Sequence, residues 1–532
     1  MYRFKNKIWL TAALLLTLTA CGGGGGGDAS VVTQVAKTCA AVTSPGDPLY
    51  SEQWHLKNTG SPTGTAGEDT NVESVWNNGI CGSGITIAVV DDGLEIGHED
   101  LAANVVAGGS HNYVNETNDP TPPAGSTDSH GTSVAGVAAA VGFNDIGVRG
   151  AAHGAELVGY NVTEALNSIN EADAAVRGKA TVDISNNSWS NQVDDGVLVA
   201  TTATWSAAID DGITNGRGGK GINYFWAGGN GKGANDNSNY DGMANYQGVN
   251  AVGALDDTGK STSYSEEGAN ILISAHAGEF CDTNTITTVD LTGTDGANNA
   301  GKSEDGTDDD YTNDSYTQCF NGTSSATPLV AGVAALVLEA NPNLTRRDLR
   351  LLLAKTARKN DGTDSDWKVN GAGLNINHKY GYGAVDAAAA VTAAPGWTLL
   401  AAEKTPESYP GVITTAAIPD GGPGGSAVTN TLKVASSSIT QLEFVDIIFA
   451  SDHTFWGDLI LELTSPSGTK SILTRLNQTA TGGGDAFTDG FRFGSVRYFD
   501  ETPIGNWVLS VRDAGLGVDG NITSWSIKLY GR

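Results

Sequence analysis

A chain of 532 residues is long enough for two or three domains with a large hydrophobic core. Its 60 acidic and 30 basic residues give a net charge of −30, which argues against nucleic acid as a partner because the phosphate backbone would repel the protein. The same charge favours bound cations, such as calcium, and basic substrates.

The N-terminus has the pattern of an export signal. A basic stretch at residues 2–7 precedes an apolar run at residues 8–19, which is too short to span a bilayer comfortably. The run ends in Leu18-Thr19-Ala20-Cys21, which resembles a bacterial lipoprotein cleavage site. This predicts a signal peptide over residues 1–20, a lipid on Cys21 and a glycine-led tether over residues 21–45. An ordinary signal peptide cut near the same place is the alternative.

The predicted location follows from that segment. We expect an exported protein that is lipid-anchored to the cell envelope or released, with membrane contact only through the N-terminal lipid. The other four cysteines are expected to form disulfides in such a compartment. Four cysteines allow three connectivities, and proximity in sequence favours Cys39–Cys81 and Cys281–Cys319.

Residues 85–90 (ITIAVV) form a β-branched, apolar run that is typical of a buried parallel strand. The run is followed at once by Asp91-Asp92-Gly93. Catalytic groups lie just beyond the carboxyl ends of such strands, which makes Asp91 a candidate. A plain turn is the alternative.

Two further motifs bring a histidine and a serine to the starts of helices. His130 precedes a helix of mostly small residues at 131–140, and a lone histidine there would usually be structural. Residues 321–328 (NGTSSATP) form a glycine-bearing turn that opens the most apolar helix, at residues 329–340. A serine at that turn is held rigidly, and its backbone N–H can point at an anion. A helix N-cap is the alternative for Ser324.

The remaining elements predict two domains, at residues 46–394 and 395–532. Thr345, with an acidic residue three positions later, predicts the start of a helix, and Pro395-Gly396 marks the boundary. Beyond it, short apolar or alternating runs separated by turns suggest an antiparallel sandwich. These runs cover residues 432–434, 439–449, 458–463, 471–473, 505–511 and 522–529.

The order Asp91, His130, Ser324 and its flanking residues resemble the three subtilase signatures: VDDG at 90–93, HGTSVAG at 130–136 and GTSSATP at 322–328. The Asp-Asp pair and residues 227–231 (AGGNG) resemble the kexin and furin branch, the proprotein convertases. Residues 432–532 resemble the P domain of that branch. The resemblance implies an α/β catalytic domain, with a mostly parallel sheet and helices on both faces, followed by a β jelly-roll.

The resemblance further implies a serine endopeptidase. Ser324 would attack the peptide carbonyl, His130 would carry the proton and Asp91 would orient His130. Asn230, together with the Ser324 backbone N–H, would stabilise the oxyanion. A loop asparagine is the alternative for Asn230. A broad-specificity subtilase and a non-catalytic surface-binding protein that uses the sandwich are the alternatives for the whole chain.

Calcium is the cofactor that the resemblance implies, because hard oxygen ligands from separate loops suit that ion. One site would lie beneath the S1 pocket and a second beside the 141–148 loop, where Val148 stands in place of the family's glycine. Solvated loop carboxylates are the alternative in so acidic a chain. The implied ligands are Asp194, Asp236 and Glu266 at the first site, and Asp47, Asp100, Val141, Asn144 and Ile146 at the second.

The resemblance also implies a substrate preference. Asp241 matches the S1 carboxylate that receives a P1 Arg or Lys, and Asp92 matches a carboxylate that faces a basic P2 residue. Asp194 and, at S4, Glu171 are further substrate-binding candidates. The expected partners are proteins or peptides with basic residues at the cleavage site. We also expect a separate maturation chaperone, or the N-terminal segment in its place, because the predicted signal and tether leave no room for the family's pro-segment.

Overall fold

The computed structural model describes Cys39 and residues 46–60, 63–190, 195–281, 284–303, 306, 308–413, 416–422, 424–477 and 487–532. These residues lie within one compact unit that covers residues 36–532. The predicted signal peptide, Cys21 and Asp194 lie outside the described residues.

A six-stranded parallel sheet forms the centre of the N-terminal domain. Its strands run in the order β2-β1-β3-β4-β5-β6, and each neighbouring pair is parallel. The arrangement confirms the predicted α/β class. The strands are β1 (Thr86–Val90), β2 (Glu156–Tyr160), β3 (Ile184–Asn187), β4 (Asn223–Ala227), β5 (Val249–Leu255) and β6 (Ile271–His276).

Helices cover both faces of this sheet. In β1, Ile87 and Val89 join the core cluster that contains α2 and α5, whereas Ala88 and Val90 join the cluster that contains α4. The alternation follows because successive side chains of a strand point to opposite faces. The helices are α1 (Glu73–Asn77), α2 (His130–Ala139), α3 (Ser168–Val176), α4 (Ala203–Gly219), α5 (Thr323–Ala340), α6 (Arg346–Thr356) and α7 (Ala387–Ala393).

The helix α5 is long and apolar enough to cross a membrane, but 89% of it is buried inside the protein, so it is the core helix of this domain. The predicted cap of α6 is confirmed, since Thr345 and Asp348 form a reciprocal capping box. Both favoured disulfides, Cys39–Cys81 and Cys281–Cys319, are present.

Two small antiparallel pairs complete the domain. The first joins β7 (Ile286–Val289) to β8 (Tyr316–Phe320), and the second joins β9 (Lys368–Val369) to β10 (Asn375–Ile376). The pair β7–β8 places Phe320 immediately before the serine-bearing turn, because β8 ends there.

The C-terminal domain is a sandwich of two antiparallel sheets. One has the order β11-β19-β14-β17, with β12 also paired to β19, and the other has the order β13-β18-β15-β16. Their apolar faces enclose a second core that includes Phe449, Leu461 and Trp507. The strands are β11 (Glu407–Pro410), β12 (Ala416–Ile418), β13 (Val428–Val434), β14 (Leu442–Ser451), β15 (Leu459–Thr464), β16 (Lys470–Ile472), β17 (Phe491–Ser495), β18 (Gly505–Asp513) and β19 (Gly520–Gly531).

The six predicted runs correspond to β13, β14, β15, β16, β18 and β19, whereas β11, β12 and β17 were not predicted. The predicted boundary between residues 394 and 395 falls in the short 3₁₀ turn Ala394–Gly396, between α7 and β11. Strand β17 escapes a search for apolar runs because it reads FRFGS, with an arginine and a glycine among its phenylalanines.

Candidate active site

Asp91 and His130 come together at the carboxyl end of β1. His130 Nδ1 lies 2.7 Å from Asp91 Oδ1, and Asp91 is buried whereas 37% of the His130 side chain is exposed. Burial lowers the pKa of His130, but the charge and hydrogen bond of Asp91, helped by Asp92, outweigh it and raise the pKa to about 9. The bond to Nδ1 leaves Nε2 as the nitrogen that can accept a proton.

Asp92 holds the start of α2 against the end of β1. Its Oδ1 accepts from the Gly131 backbone N–H at 2.7 Å, and its Oδ2 accepts from the His130 N–H at 3.0 Å. A carboxylate beside the first N–H groups of a helix is favourable. Gly131 is required for this approach, because a Cβ there would lie 2.2 Å from the Gly93 carbonyl oxygen. Burial and Asp91 raise the pKa of Asp92 to about 7.

Ser324 lies in the first turn of α5, and the helix begins directly after Gly322, which has a φ of 82°. Pro328 has no N–H, so the Ser324 carbonyl lacks its usual donor four residues later. The Ser188 hydroxyl supplies that donor at 2.9 Å. In return, Ser324 Oγ donates to the Ser188 carbonyl at 3.0 Å. The reciprocal pair ties the serine to the residue that follows β3, and rotation about the Ser324 Cα–Cβ bond would release its hydroxyl.

Asn230 is oriented by the residue that precedes Ser324. Its side-chain carbonyl accepts from the Thr323 backbone N–H at 2.8 Å and from the Thr323 hydroxyl at 3.0 Å. This network sets which end of the amide is the oxygen, so the opposite end is the NH₂ donor.

One cavity of about 900 Å³ connects these groups. His130, Asn230 and Ser324 line it, whereas Asp91 lies behind His130. The Phe320 ring packs edge-on against His130, with ring centroids 5.5 Å apart. The cavity therefore brings together a base, a hydroxyl and amide donors. The roles of Ser188, Thr323 and Phe320 were not predicted, although Ser188-Trp189 is also part of the resemblance to the kexin and furin branch.

Asp241 and Glu171 do not line this cavity. Asp241 is buried; its Oδ2 accepts from the Ser190 hydroxyl at 2.7 Å, and its Oδ1 accepts from the Met243 N–H at 2.6 Å. Burial raises the pKa of Asp241. Glu171 is buried on α3.

The sandwich braces the loop that carries Asp241. Asn239 exchanges two hydrogen bonds with the Gly494 backbone of β17, at 2.9 and 2.8 Å. On the same strand, Arg492 donates to the carbonyls of Gly242 and Asn245, both at 2.8 Å. The C-terminal domain therefore forms hydrogen bonds with residues on both sides of Asp241.

Two of the three candidate calcium ligands near this loop are described, and both are buried. Glu266 Oε1 accepts from the Gly231 N–H at 2.8 Å, and the Gly231 carbonyl accepts from the Asp236 N–H at 3.1 Å. Gly229 makes room for the Glu266 carboxylate, because a Cβ there would lie 2.2 Å from Oε1. Both carboxylates are buried beside one glycine loop, and carboxylate oxygens are ligands that calcium takes in proteins.

The candidate ligands Asp47, Asp100, Val141, Asn144 and Ile146 also come together. However, Asp47 forms an ion pair with the buried guanidinium of Arg149 and accepts three backbone N–H groups. Asn144 directs its NH₂ group at Asp100, at 2.8 Å. Burial raises the pKa of Asp100 to about 7. These contacts do not fit a calcium ion bound by Asp47 and Asn144, because protein donors already occupy the oxygens that would bind it.

Comparison with known proteins agrees with this geometry. Residues 82–383 match the Subtilase family, and residues 442–529 match the Proprotein convertase P-domain. The chain is similar to neuroendocrine convertase 2 of Bos taurus, with 32% identity over 502 residues that cover 91% of this chain and 74% of that protein. It is 35% identical, over 477 residues, to a PC3-like endoprotease (variant B) of Hydra vulgaris, covering 88% of this chain and 64% of that protein.

Solved structures extend the similarity to the whole fold. The crystal structure of the serine protease of Aeromonas sobria has a TM-score of 0.82 at 29% identity and covers 92% of this chain and 96% of that one. The same protease in complex with the chaperone ORF2 has a TM-score of 0.81. The chain thus belongs to the subtilase family of serine proteases and carries a proprotein convertase P domain.

Proposed function

We propose that this subtilase is an exported, calcium-dependent endopeptidase that cleaves proteins after Arg or Lys, preferentially at dibasic sites. The catalytic part of this proposal rests on one observation. His130 Nδ1 lies 2.7 Å from Asp91 Oδ1, and His130 lines a cavity together with Ser324 and Asn230. The geometry favours an enzyme over a surface-binding protein, since a binding module needs no such set of groups.

The proposed reaction is acyl transfer. Ser324 Oγ leaves the Ser188 carbonyl, turns to His130 Nε2 and attacks the peptide carbonyl as its proton passes to the imidazole. Asp91 accepts from Nδ1–H and stabilises the imidazolium, which then protonates the departing amine. Water attacks the acyl-enzyme in the second half, with His130 again as the base. In both halves, the Asn230 NH₂ group and the Ser324 N–H stabilise the oxyanion.

Asp236 and Glu266, together with Asp194, would hold calcium in this proposal, and the ion would supply a fixed positive charge. No bond is made or broken at the ion. Two observations support the assignment: the carboxylates are buried, and Gly229 leaves space for that of Glu266.

Replacing Asp241 by asparagine should lower kcat/KM for a P1-Arg peptide by about 30- to 1000-fold, because a buried charged partner is lost. A P1-Leu peptide on the same variant is the internal control and should lose little. The measurement is kcat/KM for both peptides, and an equal loss for both would remove Asp241 from substrate recognition.

A broad-specificity subtilase is the second candidate, and one observation favours it. Both oxygens of Asp92 are engaged with the N–H groups of α2, so this carboxylate caps a helix as well as facing the cavity. A peptide library that shows no preference for P1 Arg or Lys would support this candidate.

The test of the proposed activity combines a covalent probe with a peptide. A serine-directed fluorophosphonate should label Ser324, and a fluorogenic dibasic peptide should be cleaved, with less cleavage after calcium chelation. Failure of the probe to label Ser324 would refute the catalytic assignment. Labelling without chelator sensitivity would refute only the calcium requirement.

The pH profile offers a separate check. The negative charges near His130 stabilise its protonated form, which cannot act as a base, so activity should rise with pH as His130 deprotonates. Asp92→Asn removes one of these charges, which lowers the His130 pKa and should shift the acid limb of kcat/KM to lower pH. Exposed Glu116, changed to Gln, is the control and should leave the limb in place. A shift to higher pH in Asp92→Asn would contradict this electrostatic role.

Export, lipidation at Cys21 and help from a maturation chaperone complete the proposal. The apolar N-terminal run and the cysteine after it support the first two. The structure of a similar protease with a chaperone supports the third. Expression of this chain alone with full specific activity would rule out the need for a chaperone.

A further inference from the structure

We propose that Arg149 provides, from within the chain, the positive charge that calcium would provide at Asp47, so that the 141–148 loop needs no metal there. The calcium requirement proposed above then concerns only the site of Asp236 and Glu266. The role of Arg149 is independent of the protease chemistry.

The carboxylate of Asp47 is fully used by protein donors. Its Oδ2 accepts from the Phe143 N–H at 2.7 Å and from Arg149 Nε, and its Oδ1 accepts from the N–H groups of Asn144 and Asp145 at 2.9 and 3.2 Å. A carboxylate has about four lone-pair sites, and these four bonds occupy them. A calcium ion would have to displace several of these donors to bind.

Arg149 is buried beside Asp47 and is held there by its neighbours. Only 3% of its side chain is exposed, and none of the Asp47 side chain is. The guanidinium carbon lies 4.0 Å from the centroid of the Tyr50 ring and 3.8 Å from that of Phe143, which stabilises the charge through cation–π contacts. Gln53 holds the Arg149 backbone through both its N–H and its carbonyl, each at 2.8 Å. A cation fixed so firmly beside Asp47 would repel a second one.

The side-chain amide of Asn144 is also engaged by protein groups. Its NH₂ group donates to Asp100 at 2.8 Å, and its side-chain oxygen accepts from the Ile146 N–H at 3.0 Å. A calcium site would use that oxygen as a ligand. The amide is therefore turned to close the loop by hydrogen bonds, with Val148 N–H also donating to Asp100 at 2.9 Å.

The first test counts calcium per chain by native mass spectrometry of the purified full chain. Asp47→Asn should retain the wild-type count, and Glu266→Gln should bind one ion fewer. Asp100→Asn serves the same purpose as Asp47→Asn if the latter does not fold. Loss of one ion in either aspartate variant would overturn the proposal. The count needs no peptide hydrolysis, so it stands even if the proposed specificity fails.

The second test is thermal melting in calcium-free buffer. Arg149→Met leaves the Asp47 charge buried and without its cation, so Tm should fall by several degrees. Arg177→Met is the matched control: the side chains of its ion pair with Asp173 are 34% and 44% exposed, and its loss should change Tm little. An Arg149→Met variant that melts with the wild type would show that Arg149 does not hold the loop.

Discussion

Replacing Ser324 by alanine is expected to lower kcat by at least about 10⁴-fold, because the variant keeps the oxyanion donors but has no nucleophile. Ser324 lines the cavity that His130 and Asn230 also line. The measurement is kcat for a dibasic peptide, with Tm to show that the fold is intact.

The neighbouring serine offers a matched control. Ser325 is buried and donates to the Gly322 carbonyl at 3.0 Å, so Ser325→Ala should keep activity near the wild-type value wherever it folds. A double variant of Ser324→Ala with His130→Ala should lose little more than the single one, because the two act as one unit. Substantial residual hydrolysis in Ser324→Ala would contradict the assignment.

The second large effect is expected at Asn230. Removing one preorganised oxyanion donor costs about 10²–10³ in kcat, and Asn230→Ala should show a loss of that size with KM little changed. The physical reason is the fixed amide, because its oxygen accepts from both Thr323 donors and the orientation of its NH₂ end is thereby set.

Asn230→Asp separates this role from a structural one. An aspartate can still accept both bonds from Thr323, so it keeps the local structure, but it replaces the donor with a negative oxygen. We expect Asp to lower kcat at least as much as Ala does. Activity retained in Asn230→Asp would mean that the residue only supports the serine turn.

The P domain contacts the loop that carries Asp241. The edge strand β17 reaches across to the loop around Asp241, with Asn239 paired to Gly494 and Arg492 bonded to two carbonyls of that loop. Hydrogen bonds on both sides of a buried carboxylate limit its movement. The sandwich therefore holds the loop around Asp241 in place, and under the proposed function this loop would take part in substrate binding.

Much of the fold was predictable because its signals are local. The β-branched run before Asp91 predicts a buried strand, and Thr345 with Asp348 predicts a helix start; both are present as β1 and α6. The order of aspartate, histidine and serine motifs predicts that distant segments meet, and Asp91 and His130 do.

The tertiary structure alone decided the partners of several other buried polar groups. Asp92 caps α2, Ser188 replaces the donor that Pro328 removes, and Arg149 pairs with Asp47. A sequence shows which residues carry charges or hydroxyl groups, and its periodicity predicts which faces of the helices and strands are buried. A buried carboxylate or carbonyl, however, binds whichever donor the packing brings within about 3 Å, and that donor can lie a hundred residues away. Such pairings follow from the packed chain, because no local pattern of residues encodes them.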